Sequence, residues 1–215
     1  SAIKKIVAAF GTINTAINCA GVADPGKVLS KKGPISLDFF NRVLQINLVG
    51  TLNVIRLAVE QMVKNEPNEE GEKGVIINTA SAAAFDGQIG QAAYSASKAG
   101  VIQLTKVLAL EYADKNIRVN CICPGTADTP MAYIEGAEVE LKLSCMLQPL
   151  GRLVQPEEVA ALYHFLASDD CSMISGVAIP IDGGMTAGPG LGLIGPLYEK
   201  IFSEALDIED FKAGE

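Results

Sequence analysis

The chain has 215 residues, of which 49% are hydrophobic, and a formal net charge of −8 at neutral pH. This length suffices for one domain with a substantial core. The acidic balance argues against nucleic-acid binding and against docking on anionic membranes, because both need clustered basic side chains. We expect no apolar run long enough to span a bilayer and no signal peptide.

The hydrophobic pattern predicts strands that alternate with helices. The predicted helices cover residues 3–10, 37–64, 91–112, 138–146 and 156–168. The predicted strands cover residues 12–21, 75–78, 117–123 and 176–181. A loop is predicted at residues 24–34 and a charged connector at residues 65–74. Short apolar strands between long helices are typical of a parallel sheet in an open α/β fold.

The chain has five cysteines without regular spacing: Cys19, Cys121, Cys123, Cys145 and Cys171. This usage suits reduced thiols in an intracellular protein, which we expect to be cytoplasmic or mitochondrial. Cys121 and Cys123 would face the same side of a strand. The single histidine, His164, lies in an apolar helix pattern. No ligand spacing is present, so we expect no metal site.

The motif Y-S-A-S-K carries Tyr94 and Lys98, which share one face of a helix because they are four residues apart. A phenol ionises near pH ~10, and a nearby cation lowers its pKa, so such a tyrosine can exchange protons with an alcohol or a carbonyl. Ser81 follows a predicted strand, and ligands of open α/β sheets bind beyond the carboxyl ends of strands. Each residue alone fits a structural role, as a helix cap, a half-buried aromatic or a solvated charge. Their joint spacing favours catalysis.

Four signatures occur in order: N-C-A-G at residues 18–21, I-N-L-V-G at 46–50, N-T-A-S with Y-S-A-S-K, and C-P-G at 123–125. Together they resemble the short-chain dehydrogenase/reductase family from its fourth strand to its C-terminus. Residues 65–98 are most similar to the type-2 3-hydroxyacyl-CoA dehydrogenases, which also oxidise hydroxysteroids. The resemblance implies a Rossmann-type, doubly wound parallel sheet that lacks the first strands and helices of the fold.

The resemblance also implies roles for four residues. Tyr94 would exchange the proton with the substrate, and Ser81 would hold the substrate oxygen. Lys98 would lower the tyrosine pKa and hold the nicotinamide ribose. Asn47 would position a water for proton relay to the lysine, and a helix-breaking polar residue is the structural alternative for this asparagine.

The implied cofactor is NAD, with NADP not excluded. The implied cofactor contacts are Asn18, Ala20, Gly21, Tyr94, Lys98, Pro124, Gly125, Thr126 and Thr129. The first three would lie beside the adenosine half, and residues 124–126 would face the nicotinamide. Thr129 is a candidate for the carboxamide or the phosphates. For Gly21 and Gly125, the structural alternative is an ordinary turn that ends a strand. Residues 127–150 would cover the substrate.

The implied activity is hydride transfer between a nicotinamide cofactor and a secondary alcohol or ketone. The substrate that the resemblance favours is a 3-hydroxyacyl-CoA or a hydroxysteroid. A 3-oxoacyl thioester or another small carbonyl compound is the alternative substrate. A non-catalytic fragment or scaffold subunit without cofactor is the alternative of another class. In the family the helices that contain Asn47 and Tyr94 pair between subunits, so the resemblance implies a homo-oligomer, either a dimer or a tetramer.

The chain divides into a partial Rossmann catalytic domain at residues 1–185 and a tail at residues 186–215, which is glycine-rich and then helical. No glycine-rich cofactor turn precedes the motifs, so we expect a truncated chain that by itself binds nicotinamide nucleotide poorly or not at all. Gly190, Gly192 and Gly195 fit G-x-G-x-x-G, but no further strand follows them. We therefore interpret these glycines as a flexible connection.

Overall fold

The computed structural model describes residues 2–133 and 138–188. Its helices are α1 (Ala2–Phe10), α2 (Leu37–Leu44), α3 (Gly50–Met62), α4 (Ala92–Glu111), α5 (Glu138–Leu147) and α6 (Pro156–Ala167). Its strands are β1 (Thr15–Asn18), β2 (Leu29–Ser30), β3 (Gly33–Pro34), β4 (Gly74–Thr79), β5 (Ile117–Pro124) and β6 (Ala178–Ile181). The predicted helical tail and the glycine motif at residues 190–195 lie outside the described residues.

Four parallel strands form the main sheet in the order β1-β4-β5-β6. The register places Thr15 opposite Val75 and Gly74 opposite Ile117. The central strands β4 and β5 are buried almost throughout, as expected for strands of a parallel sheet that is covered on both faces. The predicted parallel α/β sheet is confirmed. Its carboxyl-terminal edge is where open sheets of this kind bind ligands.

Helices cover both faces of the sheet because successive side chains of a strand point in opposite directions. Ile76 on β4 packs with α3 and α4, in a cluster that includes Ile55 and Leu108. Its neighbour Ile77 packs on the opposite face with Leu166 of α6. The two central strands thus fix α4 on one side of the sheet and α6 on the other.

A π-helical stretch, Gln45–Val49, joins α2 to α3. π-helical turns insert an extra residue into a helix and occur often at functional sites. Asn47 lies at its centre and is 1% exposed. A Cβ on Gly100 of α4 would lie 2.9 Å from Cδ2 of Leu48, so the Leu48 side chain packs directly against this glycine. The sequence did not predict this π-helical stretch.

The element α2–α3, Leu37–Met62, is the one helix of the described residues that is long and apolar enough to cross a bilayer by length and composition. The expectation that no apolar run reaches this length is therefore wrong for this helix. One such helix is weak support for a membrane span, because core helices of folded domains pass the same test. Here one face supplies Ile55, Ala58 and Met62 to the core.

The predicted loop at residues 24–34 contains a short antiparallel hairpin formed by β2 and β3. Gly33 adopts φ +104°, a backbone conformation that favours glycine. The Gly26 amide donates to the Gly90 carbonyl at 2.7 Å, which attaches the base of this hairpin to the segment just before α4.

A buried ion pair joins the connector before β4 to β5. The Arg118 side chain is 7% exposed and pairs with Glu72, whose side chain is 13% exposed. The guanidinium also donates to the carbonyls of Leu166 at 3.1 Å and Ser168 at 3.2 Å, at the end of α6. A cation at this position satisfies carbonyls that a helix C-terminus leaves without partners.

Candidate active site

The carboxyl ends of β1, β4 and β5 open into a cavity of about 400 Å³, a volume within the range of small-molecule sites. The predicted site residues in its wall are Gly21, Ser81, Tyr94, Lys98, Pro124, Gly125, Thr126 and Thr129. These residues come from four separate chain segments. The sheet edge therefore gathers most of the predicted site into one place.

Ser81 and Tyr94 meet in this cavity. Ser81 lies two residues after the end of β4, and its hydroxyl accepts from the Ala83 amide at 3.1 Å, which caps a single 3₁₀ turn. Burial raises the pKa of Tyr94 above its usual value, and a hydrogen bond with Ser81 acts in the opposite direction. The phenol is consequently protonated at neutral pH.

Lys98 is one helical turn beyond Tyr94 and is 5% exposed. Its Nζ lies 5.7 Å from the centroid of the Tyr94 ring and donates to the Thr79 carbonyl at 2.8 Å. Burial lowers the pKa of Lys98 to about 8, although nearby thiols, first Cys123, act to raise it. Burial of the phenol raises the pKa of Tyr94 overall, and the lowering of that pKa by Lys98 stays a prediction.

Asn47 joins two distant segments through its side chain. Its Oδ1 accepts from the Val22 amide at 2.9 Å, and its Nδ2 donates to the Val22 carbonyl at 2.9 Å. The same Nδ2 donates to Oγ of Ser97 at 3.0 Å, and that hydroxyl donates to the Tyr94 carbonyl at 2.7 Å. Asn47 thus fixes the segment after β1 against the helix of Tyr94. Its water-relay role stays a prediction.

Gly21 lies between Asn47 and Lys98. A Cβ on this residue would be 3.3 Å from Oδ1 of Asn47 and 3.5 Å from Nζ of Lys98. A Cβ here would be in tight contact with the Asn47 amide and in ordinary contact with the Lys98 ammonium, so the backbone at Gly21 lies close to both groups.

Asn18 and Ala20 are not in the cavity wall. The Asn18 Nδ2 donates to Oδ1 of Asn78 at 2.9 Å, and Asn78 in turn donates to Oγ1 of Thr105 at 3.0 Å. Asn18 therefore joins β1 to β4, while Ala20 is exposed beside the wall residue Cys19. Their predicted contact with the adenosine half stays a prediction.

The segment after β5 forms the opposite wall. Gly125 donates its amide to the Ile181 carbonyl at 3.0 Å, and the Thr126 carbonyl accepts from the Val154 amide at 3.0 Å. Met131 reaches the same cavity, in agreement with an apolar cover from residues 127–150. Tyr133 instead donates to Asp128 at 2.6 Å and lines a more open depression beside it.

Several residues around the cavity were missed from the sequence. The Thr79 carbonyl holds Lys98, and Gln88 and Gln91 line the wall next to Tyr94. Strand alternation could have found Thr79, since it is two residues before Ser81. Ser97 has no local signal, because its partner Asn47 is 50 residues away. Within residues 2–133 and 138–188, no three His, Cys, Asp or Glu side chains are grouped to hold a metal.

Comparison with known proteins agrees with this geometry. A family profile described as Enoyl-(Acyl carrier protein) reductase matches residues 1–186. The chain is 42% identical to 3-hydroxyacyl-CoA dehydrogenase type-2 of Bos taurus over 182 residues, which are 84% of this chain and 69% of that protein. The Homo sapiens protein of the same name is 43% identical over 182 residues, which are again 84% of this chain and 69% of that protein.

The similarity extends to a bacterial protein. The 3-oxoacyl-[acyl-carrier-protein] reductase FabG of Thermotoga maritima is 39% identical over 184 residues, which are 85% of this chain and 70% of that reductase. The profile match over residues 1–186 includes every residue that lines the cavity. The chain belongs to the short-chain dehydrogenase/reductase family, whose members are nicotinamide-dependent oxidoreductases.

Proposed function

We propose that this chain catalyses hydride transfer between NAD(H) and a 3-hydroxyacyl or 3-oxoacyl thioester. The observation that carries the proposal is that Ser81 and Tyr94 line one cavity, with the buried Lys98 one turn further along α4. The names of relatives from cattle, human and Thermotoga support an acyl thioester as the substrate class. The apolar side chain of Met131 in the wall suits an acyl chain.

The residues present fit a nicotinamide cofactor. Gly21 and Gly125 let main chain line the cavity without a Cβ in the way, and Lys98 offers a buried ammonium to a ribose hydroxyl. Residues 124–126 form the wall that would hold the nicotinamide. When bound, this group supplies the hydride in reduction and accepts it in oxidation.

In this reaction the side chains of the protein transfer the proton. In reduction the Tyr94 hydroxyl donates its proton to the substrate oxygen, which the Ser81 hydroxyl holds by a hydrogen bond. The raised pKa keeps Tyr94 protonated and ready to donate at neutral pH. The Lys98 ammonium, with a pKa of about 8, is protonated there and stabilises the phenolate that forms.

The assembly and location belong to the same proposal. Exposed apolar side chains lie along α3 and α4, including Leu52, Val107 and Leu110. A second copy of the chain would cover such surfaces, so the proposal includes a homo-oligomer. The described cysteines are all unpaired, which suits a reducing, intracellular compartment.

The test is the reduction of acetoacetyl-CoA by NADH, measured by the loss of NADH absorbance. We expect Tyr94→Phe to lower kcat by roughly 10²–10⁴-fold, because the proton donor is removed and the ring remains. Tyr112→Phe at the far end of α4 is the matched control and should keep the wild-type rate. Circular dichroism should be the same for all three proteins.

Two results would contradict the proposal. One is a Tyr94→Phe variant with the wild-type rate. The other is a folded wild-type chain that reduces neither acetoacetyl-CoA nor a ketosteroid with NADH or NADPH. A faster rate with NADPH than with NADH would overturn the cofactor preference alone.

A further inference from the structure

Gln148 is a buried polar side chain beside the cavity. It follows α5 directly and is 1% exposed. Its Nε2 donates to the Thr126 carbonyl at 3.2 Å and to the Arg152 carbonyl at 3.0 Å. Its Oε1 is buried and has no hydrogen-bond partner. An unpaired buried acceptor destabilises a fold, so a glutamine here requires a reason other than stability.

The reason lies in the turn at residues 124–126. A Cβ on Gly125 would collide with Oε1 of Gln148 and would come within 3.0 Å of Cα of Asp182. The glutamine side chain is therefore packed directly against the backbone of this turn, on the side away from the cavity. The φ of Gly125 is not positive, so the backbone conformation does not require glycine. Glycine is required because there is no room for a Cβ.

The same side chain connects two functional segments. Gln148 is the first residue after α5, which belongs to the segment predicted to cover the substrate, and it holds a carbonyl of the turn that lines the cofactor wall. The turn has two further anchors, the bonds from Gly125 to Ile181 and from Val154 to Thr126. These bonds hold its backbone to β6 and to residue 154, but neither joins it to α5.

We propose that Gln148 is a positioning residue that fixes the turn at residues 124–126 for hydride transfer and joins it to the end of α5. The inference rests on the proposed function. Gln148 touches no reacting atom and acts through the backbone of Gly125 and Thr126. Small displacements of a reacting group lower a rate strongly, so a loosened turn reduces turnover more than it reduces substrate binding.

Gln148→Met tests the role, because methionine has nearly the same length and removes both the donor and the unpaired acceptor. We expect hydrogen–deuterium exchange to become about tenfold faster in residues 124–129 and to stay unchanged in α4. We expect kcat for acetoacetyl-CoA reduction to fall about tenfold, with its KM changed less than about twofold. The melting temperature should not fall. Gln61→Met on α3 is the matched control and should leave all these quantities at their wild-type values.

Gln148→Glu adds a pH readout that a merely structural role would not move. A buried carboxyl beside two carbonyl oxygens has a raised pKa, and only its protonated form can donate to the Thr126 carbonyl. The rate of this variant relative to wild type at the same pH should therefore rise as the pH is lowered.

Unchanged exchange in residues 124–129 of Gln148→Met would overturn the positioning role, and so would equal acceleration in every segment. The exchange measurement needs neither substrate nor cofactor. A wild-type chain without activity would therefore count against the proposed function, while faster exchange confined to residues 124–129 would still support the structural role of Gln148.

Discussion

At the scale of single residues, the candidate active site combines ionisable side chains whose charged forms are destabilised by burial. Lys98 has a pKa of about 8 where a lysine in water has 10.5, because its charged form is desolvated. This difference corresponds to roughly 3 kcal/mol of lost stability when the lysine is protonated. The site therefore retains a charge that the fold alone would not favour.

Lys98→Met should abolish activity and yet raise the free energy of unfolding at neutral pH by about 2 kcal/mol, because an apolar side chain replaces a buried charge. Between pH 8 and 10.5 the unfolded chain keeps a lysine proton that the folded chain has released. Wild-type stability rises with pH in this window, so the advantage of Lys98→Met should shrink. Urea denaturation at several pH values measures both effects.

Lys106→Met on the exposed face of the same helix is the control, and its stability should follow that of wild type at each pH. A Lys98→Met protein that is less stable than wild type at neutral pH would show that the Thr79 hydrogen bond outweighs the burial of the charge.

The sequence predicted the residues whose chemistry is local. Tyr94 and Lys98 are four apart on one helix, and Ser81 follows a strand, so their positions at one sheet edge could be inferred from spacing. The partners of Asn47 could not, since Val22 is 25 residues away and Ser97 is 50 residues away. The raised pKa of Tyr94 could not be inferred from the sequence either, because the burial of the phenol depends on how the whole cavity closes around it.

At the scale of elements, the ion pair of Arg118 and Glu72 connects β5, the connector before β4 and the end of α6. Arg118→Met should lower the free energy of unfolding by about 3–5 kcal/mol, because Glu72 is left nearly buried without its cation. Thermal or urea denaturation of the variant measures this loss.

The double variant with Arg118→Met and Glu72→Gln is the matched comparison. It should recover part of the lost stability, since no unpaired charge remains. If the double variant is no more stable than the single one, the hydrogen bonds from Arg118 to the carbonyls after α6 are the larger contribution.

Long elements were predictable and short ones were not. The apolar period gave α4 and α6 to within one or two residues, and the largely apolar segments at residues 75–78 and 117–123 gave β4 and β5. The hairpin of β2 and β3 was missed because two-residue strands carry no period. The π-helical stretch was missed because the helical period that predicts residues 37–64 as a helix does not mark an inserted residue.

At the scale of the whole molecule, apolar side chains remain exposed on the outer helices. Leu110 is 81% exposed and Val107 is 41% exposed, three residues apart on α4. The double variant Val107→Glu with Leu110→Glu should convert an oligomer into a monomer, because charges are not buried without partners. Size-exclusion chromatography with light scattering measures the mass.

Val28→Glu, at an exposed apolar position in the segment leading to β2, is the control and should leave the mass unchanged. A wild-type chain that is monomeric at every concentration would contradict the proposed assembly, and so would an oligomer that survives both charges on α4.

The contact between Gly125 and Gln148 has a consequence for how such a chain can diverge or be redesigned. The proposed proton-transfer groups lie on α4 and just after β4, whereas the predicted cover is residues 127–150, so a new substrate range could be introduced by transplanting that segment. The contact between positions 125 and 148 would limit such a transplant, because the residue that the new segment places at position 148 must not displace the backbone at position 125. Positions 125 and 148 should therefore change together, and a graft that alters only one of them would leave the chemistry intact but misaligned.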